Sequence, residues 1–263
     1  VMVSIITLKY PKKSHRKQII LPKYSKKLAE FFGIMMGDGG IGNPWQANIT
    51  VNFVADFEYS KYISKLSVEL FGIQPVIRKR KTTNALVVSL SSTSLVDFLV
   101  FNGLPRGNKL KNGLTIPKWI INNPSYKKLC LRGLIDTDGC MFIHIHKVRG
   151  KVYRNIGLTF ASRSPELIFQ VAEILEEFGI IPHISKRGWE IYVYQADSVL
   201  KYLKIFGTSN GRIRSVYENG EMREWFNRQS WKDCVWETVP RVRIPLSPPK
   251  LEIGIETEKY YFF

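Results

Sequence analysis

Apolar residues recur at helical spacing over Leu28–Met36 and again over Leu129–Ile135. Both runs end in a small residue, an aspartate and a glycine: Gly37-Asp38-Gly39 in one, Thr137-Asp138-Gly139 in the other. Strict alternation follows each. Ile49, Val51 and Phe53 alternate with Asn48, Thr50 and Asn52; Met141, Ile143 and Ile145 alternate with Phe142, His144 and His146. After a turn at Arg149-Gly150-Lys151, Ile156, Leu158 and Phe160 alternate with Asn155 and Thr159. A period of two predicts half-buried antiparallel strands. Over Glu166–Phe178 the period returns to helical, through Leu167, Ile168, Val171, Ile174, Leu175 and Phe178. Ser164-Pro165 supplies the N-cap and first helical position, and Gly179 the stop. Asn123-Pro124 opens the second Asp-Gly helix in the same way.

The pattern occurs twice. Ile49–Phe53 matches Ile156–Phe160, Leu66–Pro75 matches Ala172–Pro182 through a shared Phe-Gly-Ile, and Leu95–Gly103 matches Val199–Gly207. The aspartates lie 100 residues apart and the Phe-Gly-Ile elements 107. The second copy therefore carries a longer hairpin after its Asp-Gly helix. A period this long is a tandem duplication of a whole unit, not a solenoid. The fold class is α+β: two αββαββα units with pseudo-two-fold symmetry and two antiparallel sheets. Expected boundaries are an N-terminal basic arm at 1–22, the first repeat at 23–115, a linker at 116–124, the second repeat at 125–227 and a tail at 228–263.

Asp38 and Asp138 change the picture from fold to chemistry. A carboxylate in the last turn of a helix faces the negative end of the macrodipole, at a cost of about 0.3–1 kcal/mol. Two equivalent placements point to something positive beside them, most simply a metal ion. The chain of 263 residues carries a formal charge of +17. A surplus of this size points to a polyanionic partner, nucleic acid before a membrane surface. Three scattered cysteines, Cys130, Cys140 and Cys234, form no CxxC pair. They indicate neither a disulfide framework nor a structural zinc, and the expected setting is intracellular: cytoplasm, nucleoid or organelle. No signal peptide and no membrane-spanning run is expected.

Leu131–Gly139, LRGLIDTDG, resembles the LAGLIDADG motif of homing endonucleases, and Phe31–Gly39, FFGIMMGDG, is its looser form. Met36 stands where the motif's first aspartate usually lies. The resemblance covers roughly residues 23–220, and two motifs in one chain are similar to the monomeric, pseudo-symmetric class. It implies that the motif helices pack at the pseudo-two-fold axis, with Gly33, Gly37, Gly133 and Thr137 permitting close approach. Two sheets would then form a saddle for the DNA major groove, which admits strands.

The same resemblance implies that Asp38 and Asp138, with Gly37 and Thr137 beside them, bind a divalent cation, Mg²⁺ first and Mn²⁺ as a substitute. Closely held ions can activate water and stabilise a leaving oxygen in staggered double-strand cleavage. It also places a basic residue near each scissile phosphate. Lys109 is the match in the first copy and Arg212, after a one-residue gap, in the second. Accessory polar positions fall at Asp56 with Ala55, and at Ser162 with Arg163, without the family's frequent glutamine. Base contacts are expected from Asn48, Thr50, Asn52, Arg78 and Arg80 in one copy, and from His144, His146, Tyr153, Asn155, Ser185 and Arg187 in the other. Asn and Arg suit adenine and guanine edges. His144 and His146 lack a third ligand and are not read as a metal pair. The Arg78–Lys81 run and the Lys9–Lys27 region suit phosphate contacts. Strands of about ten residues cover ~33 Å, so a target of about twenty asymmetric base pairs is expected.

Trp236–Pro249 is proline-rich and aperiodic. Arg241–Pro245 can be encoded by a sequence containing the TTCGAAT of a tRNA T-loop, so the reading frame is compatible with one running into a tRNA gene. The expected protein is a monomeric site-specific endonuclease on double-stranded DNA, encoded by a mobile intron. An intein origin is less favoured, since no splicing domain flanks the repeat. The alternatives are a maturase that binds intron RNA, and a catalytically silent DNA-binding regulator.

Overall fold

The computed structural model describes residues 17–218, all within one compact unit. Most of the basic arm and the whole 228–263 tail lie outside them, as does the tRNA-like segment.

The first copy runs α1 (Lys26–Met36), β1 (Gly39–Asn43), β2 (Gln46–Asn52), α2 (Phe57–Phe71), β3 (Val76–Lys79), β4 (Ala85–Ser91) and α3 (Thr93–Phe101). A short helix, α4 (Lys118–Ile121), occupies the expected linker. The second copy runs α5 (Pro124–Asp138), β5 (Gly139–Val148), β6 (Lys151–Ala161), α6 (Pro165–Glu177), β7 (His183–Ile184), β8 (Glu190–Val193) and α7 (Ala196–Ile205), followed by α8 (Gly211–Glu218). Each copy forms a four-stranded antiparallel sheet, in the orders β1-β2-β4-β3 and β5-β6-β8-β7. The second hairpin is longer, ten and eleven residues against five and seven.

The helix limits follow from local chemistry. Ser25, Asn123 and Ser164 accept hydrogen bonds from the first free backbone N–H groups of α1, α5 and α6, as N-cap side chains do. The paired Phe-Gly-Ile elements end α2 and α6: Gly72 and Gly179 both sit at φ +67°, a left-handed conformation that favours glycine. Ile73 and Ile180 are buried directly after them.

The strand alternation sorts side chains between two faces. Ala47, Ile49 and Val51 are buried under the helices, while Gln46, Asn48, Thr50 and Asn52 occupy the other face. The core is built on the motif helices: Leu28, Phe31, Phe32, Ile34, Leu131 and Leu134 are fully buried. Each such side chain contributes about 1.5–3 kcal/mol relative to exposure.

Candidate functional site

The site is made by the crossing of α1 and α5. A methyl group on Gly33 would stand 2.1 Å from the Cys130 carbonyl oxygen, and one on Gly133 2.4 Å from that of Glu30. The two backbones therefore touch directly, as only glycine permits. One turn further, a methyl on Gly37 would meet Thr137 Oγ1 at 2.0 Å and Asp138 Oδ2 at 3.3 Å. The carboxylate of Asp138 thus lies against the end of the other copy's helix. The Thr137 hydroxyl turns back to donate to the Gly133 and Leu134 carbonyls.

Burial raises the Asp38 carboxyl to about 7, with the charges of Asp138 and Asp56 adding and those of Lys109 and Arg212 opposing. Burial raises Asp138 to about 6, against the pull of Lys109. Two partly desolvated carboxylates facing each other form a negative hole that a cation would fill. Among the described residues no group of three or more His, Cys, Asp or Glu is arranged for a metal. A cation on this pair would take its remaining oxygens from backbone carbonyls, water and substrate, a donor set that suits hard divalent ions.

The two expected basic residues take equivalent places. Lys109 donates to the carbonyls of Met36 and Gly37 at the end of α1. Arg212 donates to those of Asp136 and Gly139 at the end of α5. Each caps its own motif helix at the negative end of the dipole. Their other contacts differ. Lys109 borders a cavity of about 490 Å³ with Asp138, Ser162, Arg163, Arg187, Trp189 and Glu190 among its walls. Arg163 stacks on Trp189, 3.9 Å from its ring centre. Burial lowers the ammonium of Lys109, while Asp138 and Asp38 hold it up. Arg212 is instead paired with Asp56 at 3.2 Å.

Asp56 belongs to a polar network that sequence reasoning did not find. Its Oδ1 also accepts from Asn210 Nδ2 at 2.8 Å, and its Oδ2 from the Asn52 N–H at 3.3 Å. Asp136, buried, accepts from Thr208 Oγ1 at 2.5 Å and the Ser209 N–H at 2.7 Å. Burial raises its carboxyl to about 7 despite these bonds. Glu30, also buried, accepts from Arg132, from Tyr62 at 2.8 Å and from Ser209 at 2.8 Å. Asp56 was expected as an accessory position; for the rest the sequence signal was the motif asymmetry, with Asp136 in the place of Met36, and Glu30 and Arg132 in those of Cys130 and Phe32.

The expected DNA-facing residues separate into three groups. Asn48 and Thr50 stand on the outer face of the first sheet, and the register carries that face to Ser89, Val87 and Arg78. Gln46 and Ser91 join it, hydrogen-bonded at 3.2 Å. Asn52 is largely spent on structure: its Oδ1 accepts from the Val54 and Ala55 N–H groups. Arg80 follows β3 rather than lying in it. In the second sheet, His144 pairs with Asn155 and His146 with Tyr153 in the backbone register. Ser185 and Arg187 sit in the turn between β7 and β8, not on a strand, because β7 is only two residues long. Arg187 instead reaches the Lys109 cavity. The pair Tyr192 and Tyr194, stacked at 5.4 Å, was missed.

Two family models match the chain, a WhiA LAGLIDADG-like domain at residues 28–105 and a LAGLIDADG-like domain at 125–212. The chain is 27% identical over 201 residues to the tRNA-splicing ligase RtcB of Pyrococcus abyssi, covering 67% of this chain and 21% of that protein. It is 27% identical over 236 residues to the replication factor C small subunit of Methanocaldococcus jannaschii, covering 80% of this chain and 12% of that protein. It thus spans about a fifth of the length of the first relative and about an eighth of the second. Its fold is similar to that of I-SmaMI bound to uncleaved DNA target in the presence of calcium ions, at 9% identity and a TM-score of 0.54, covering 79% of this chain and 93% of that one.

Proposed function

Because the chain belongs to the LAGLIDADG family, we propose that it is a metal-dependent, site-specific DNA endonuclease acting as a monomer. The observation that carries this reading is the juxtaposition of Asp38 and Asp138 at the helix crossing, with a basic side chain at each helix end. Asp38 and Asp138, with the backbone at Gly37 and Thr137, would hold Mg²⁺ or Mn²⁺. When bound, the metal supplies an activated water and stabilises the leaving oxygen.

The chain's own residues do the rest. The carboxylates, desolvated beside each other, hold protons more tightly than free aspartates, and arriving positive charge favours their ionised forms. Lys109 is held at the wall of an open cavity, where its ammonium can receive a phosphate oxygen and stabilise its growing charge. Arg163 and Arg187 add positive charge to the same wall. Cleavage is hydrolysis: a water oxygen bonds to phosphorus, the 3′-oxygen leaves and takes a proton, and the 5′ end keeps the phosphate. Asn48, Thr50 and Arg78 on one sheet, and the residues of the long β5–β6 hairpin on the other, read bases across about twenty base pairs. The basic arm and the Arg78–Lys81 run hold phosphates.

A matching segment in two proteins as unlike as a tRNA-splicing ligase and a replication factor C small subunit supports a mobile element. It favours carriage within protein-coding genes over an intron in a tRNA gene. A second reading, DNA binding without cutting, is favoured by Met36 in the first motif and by the WhiA-type match of that copy. Retention of both aspartates weighs for cleavage. A supercoiled plasmid library with a randomised 24-base-pair cassette (about the expected target length) separates the two. In Mg²⁺ the protein should linearise a defined subset of sequences. Asp38→Asn and Asp138→Asn should bind that subset and not cut it. Binding without cutting by the unaltered protein, in Mg²⁺ and in Mn²⁺, would establish the second reading instead.

A further inference from the structure

The two halves of the site are not equivalent. Among the described residues no carboxylate lies within ion-pair distance of Lys109; its hydrogen bonds go to the neutral carbonyls of Met36 and Gly37. Lys109 lines the 490 Å³ cavity together with Asp138. Arg212 has every nitrogen of its guanidinium engaged: Nε with Asp56 at 3.2 Å, Nη1 with the Gly139 carbonyl at 3.1 Å and Nη2 with the Asp136 carbonyl at 3.3 Å. Asp56 cannot follow Arg212 toward a substrate, because Asn210 and the Asn52 backbone hold both of its carboxylate oxygens. Asp56 comes from the first copy, Arg212 and Asn210 from the second. The pair is therefore a strap across the pseudo-two-fold axis, with no counterpart at Lys109 among the described residues.

We propose that the two DNA strands are cut in a fixed order, the Lys109 side first, and that Asp56 is the positioning residue that withholds Arg212 from the second phosphate. This rests on the endonuclease reading. A phosphate entering beside Lys109 meets a cation that feels Asp138 and Asp38 but is locked in no direct ion pair, at the edge of an accessible cavity. One entering beside Arg212 must compete with a carboxylate that is fixed and only 11% exposed. Breaking that pair leaves Asp56 largely buried with two neutral hydrogen-bond donors but no countercharge, which is unfavourable whenever one partner of a largely buried pair is withdrawn. The second cut then waits for this exchange, and a nicked duplex accumulates between the two.

The test uses a plasmid bearing one target recovered from the library, together with the same duplex end-labelled on either strand. The unaltered protein should accumulate nicked circles and cut one strand at least about tenfold faster than the other, a difference of ~1.4 kcal/mol in barrier. Asp56→Asn keeps the shape and removes the charge; it should bring the ratio of the two rates below about three. Asp56→Glu should keep the bias. A second readout needs no cleavage. In EDTA, freeing Arg212 for one more phosphate contact should steepen the salt dependence of DNA affinity by about one ion. Should Asp56→Asn lower the melting temperature, Arg212→Lys retains the charge, loses the fork of hydrogen bonds, and should shift the strand ratio in the same direction. Equal strand rates in the unaltered protein, or a strand ratio and salt slope unmoved by Asp56→Asn, would overturn the proposal. Absence of any cutting by the unaltered protein would instead defeat the endonuclease reading, and the salt slope would still report whether Arg212 is withheld.

Discussion

Replacing Gly33 by alanine tests the helix crossing on which the site depends. In an exposed helix, glycine to alanine stabilises by about 1 kcal/mol. Here the new methyl would stand 2.1 Å from the Cys130 carbonyl oxygen and 3.1 Å from the Leu134 nitrogen. Both obstacles are backbone, so no rotamer change relieves them; α1 and α5 must separate by about 1 Å. Overpacking of this kind costs about 1–3 kcal/mol, occasionally more, and the propensity gain offsets only part of it. A net loss of about 1–2 kcal/mol should lower the melting temperature by roughly 2–8 °C for a protein of this size. Asp38 and Asp138 lie one turn beyond the contact, so they move with the helices. A misplacement of ~1 Å at reacting groups costs about a hundredfold in rate. Cleavage should therefore fall far more than stability. Gly40→Ala, whose methyl meets nothing within 4 Å, serves as the control. Gly33→Ala with an unaltered or higher melting temperature and full cleavage would show that the helices do not cross as described.

The raised carboxyls have a measurable pH signature. Asp38 at about 7 and Asp138 at about 6 lie above the ordinary value of 3.8, so the metal-free fold binds protons that the unfolded chain does not. The stability contributed by these groups should fall as pH rises from about 4 to 7, and Asp38→Asn should flatten that slope in EDTA melts; matching slopes would refute the assignment. Mg²⁺ should raise the melting temperature more at pH 8 than at pH 5, where protons compete for the same oxygens. Arg132→Met leaves the Glu30 side chain 1% exposed and without its ion-pair partner. It should cost about 3 kcal/mol in chemical denaturation, the lower end for a broken buried pair, because Arg132 is itself 23% exposed; a loss under ~1 kcal/mol would mean Glu30 is not dependent on it. With about 6–10 phosphate contacts, DNA affinity should fall by about 10³–10⁵ between 50 and 200 mM salt, and a flat titration would show that the +17 charge is not spent on DNA.

By itself the sequence determined the repeat, the α+β class, the antiparallel sheets, the capped helices and the candidate carboxylates Asp38 and Asp138. These are legible because they are local: periodicity of 3.6 or 2, a serine or asparagine before a helix, a glycine after it. The family resemblance, matched copy by copy, extended this to Lys109 and Arg212. The tertiary structure alone decided what the copies do to each other. Asp56 meets Arg212 across 156 residues, and Ser209 meets Glu30 across 179; neither pair belongs to one copy. The cavity joining Lys109 to Arg163, Arg187 and Trp189 likewise draws on both. Ser185 and Arg187 moved from strand to turn because β7 is too short for alternation to register. Such contacts exist only once Gly33 and Gly133 let the two helices touch. A duplicated sequence describes each half well, but the asymmetry of the site is a property of the interface between the halves.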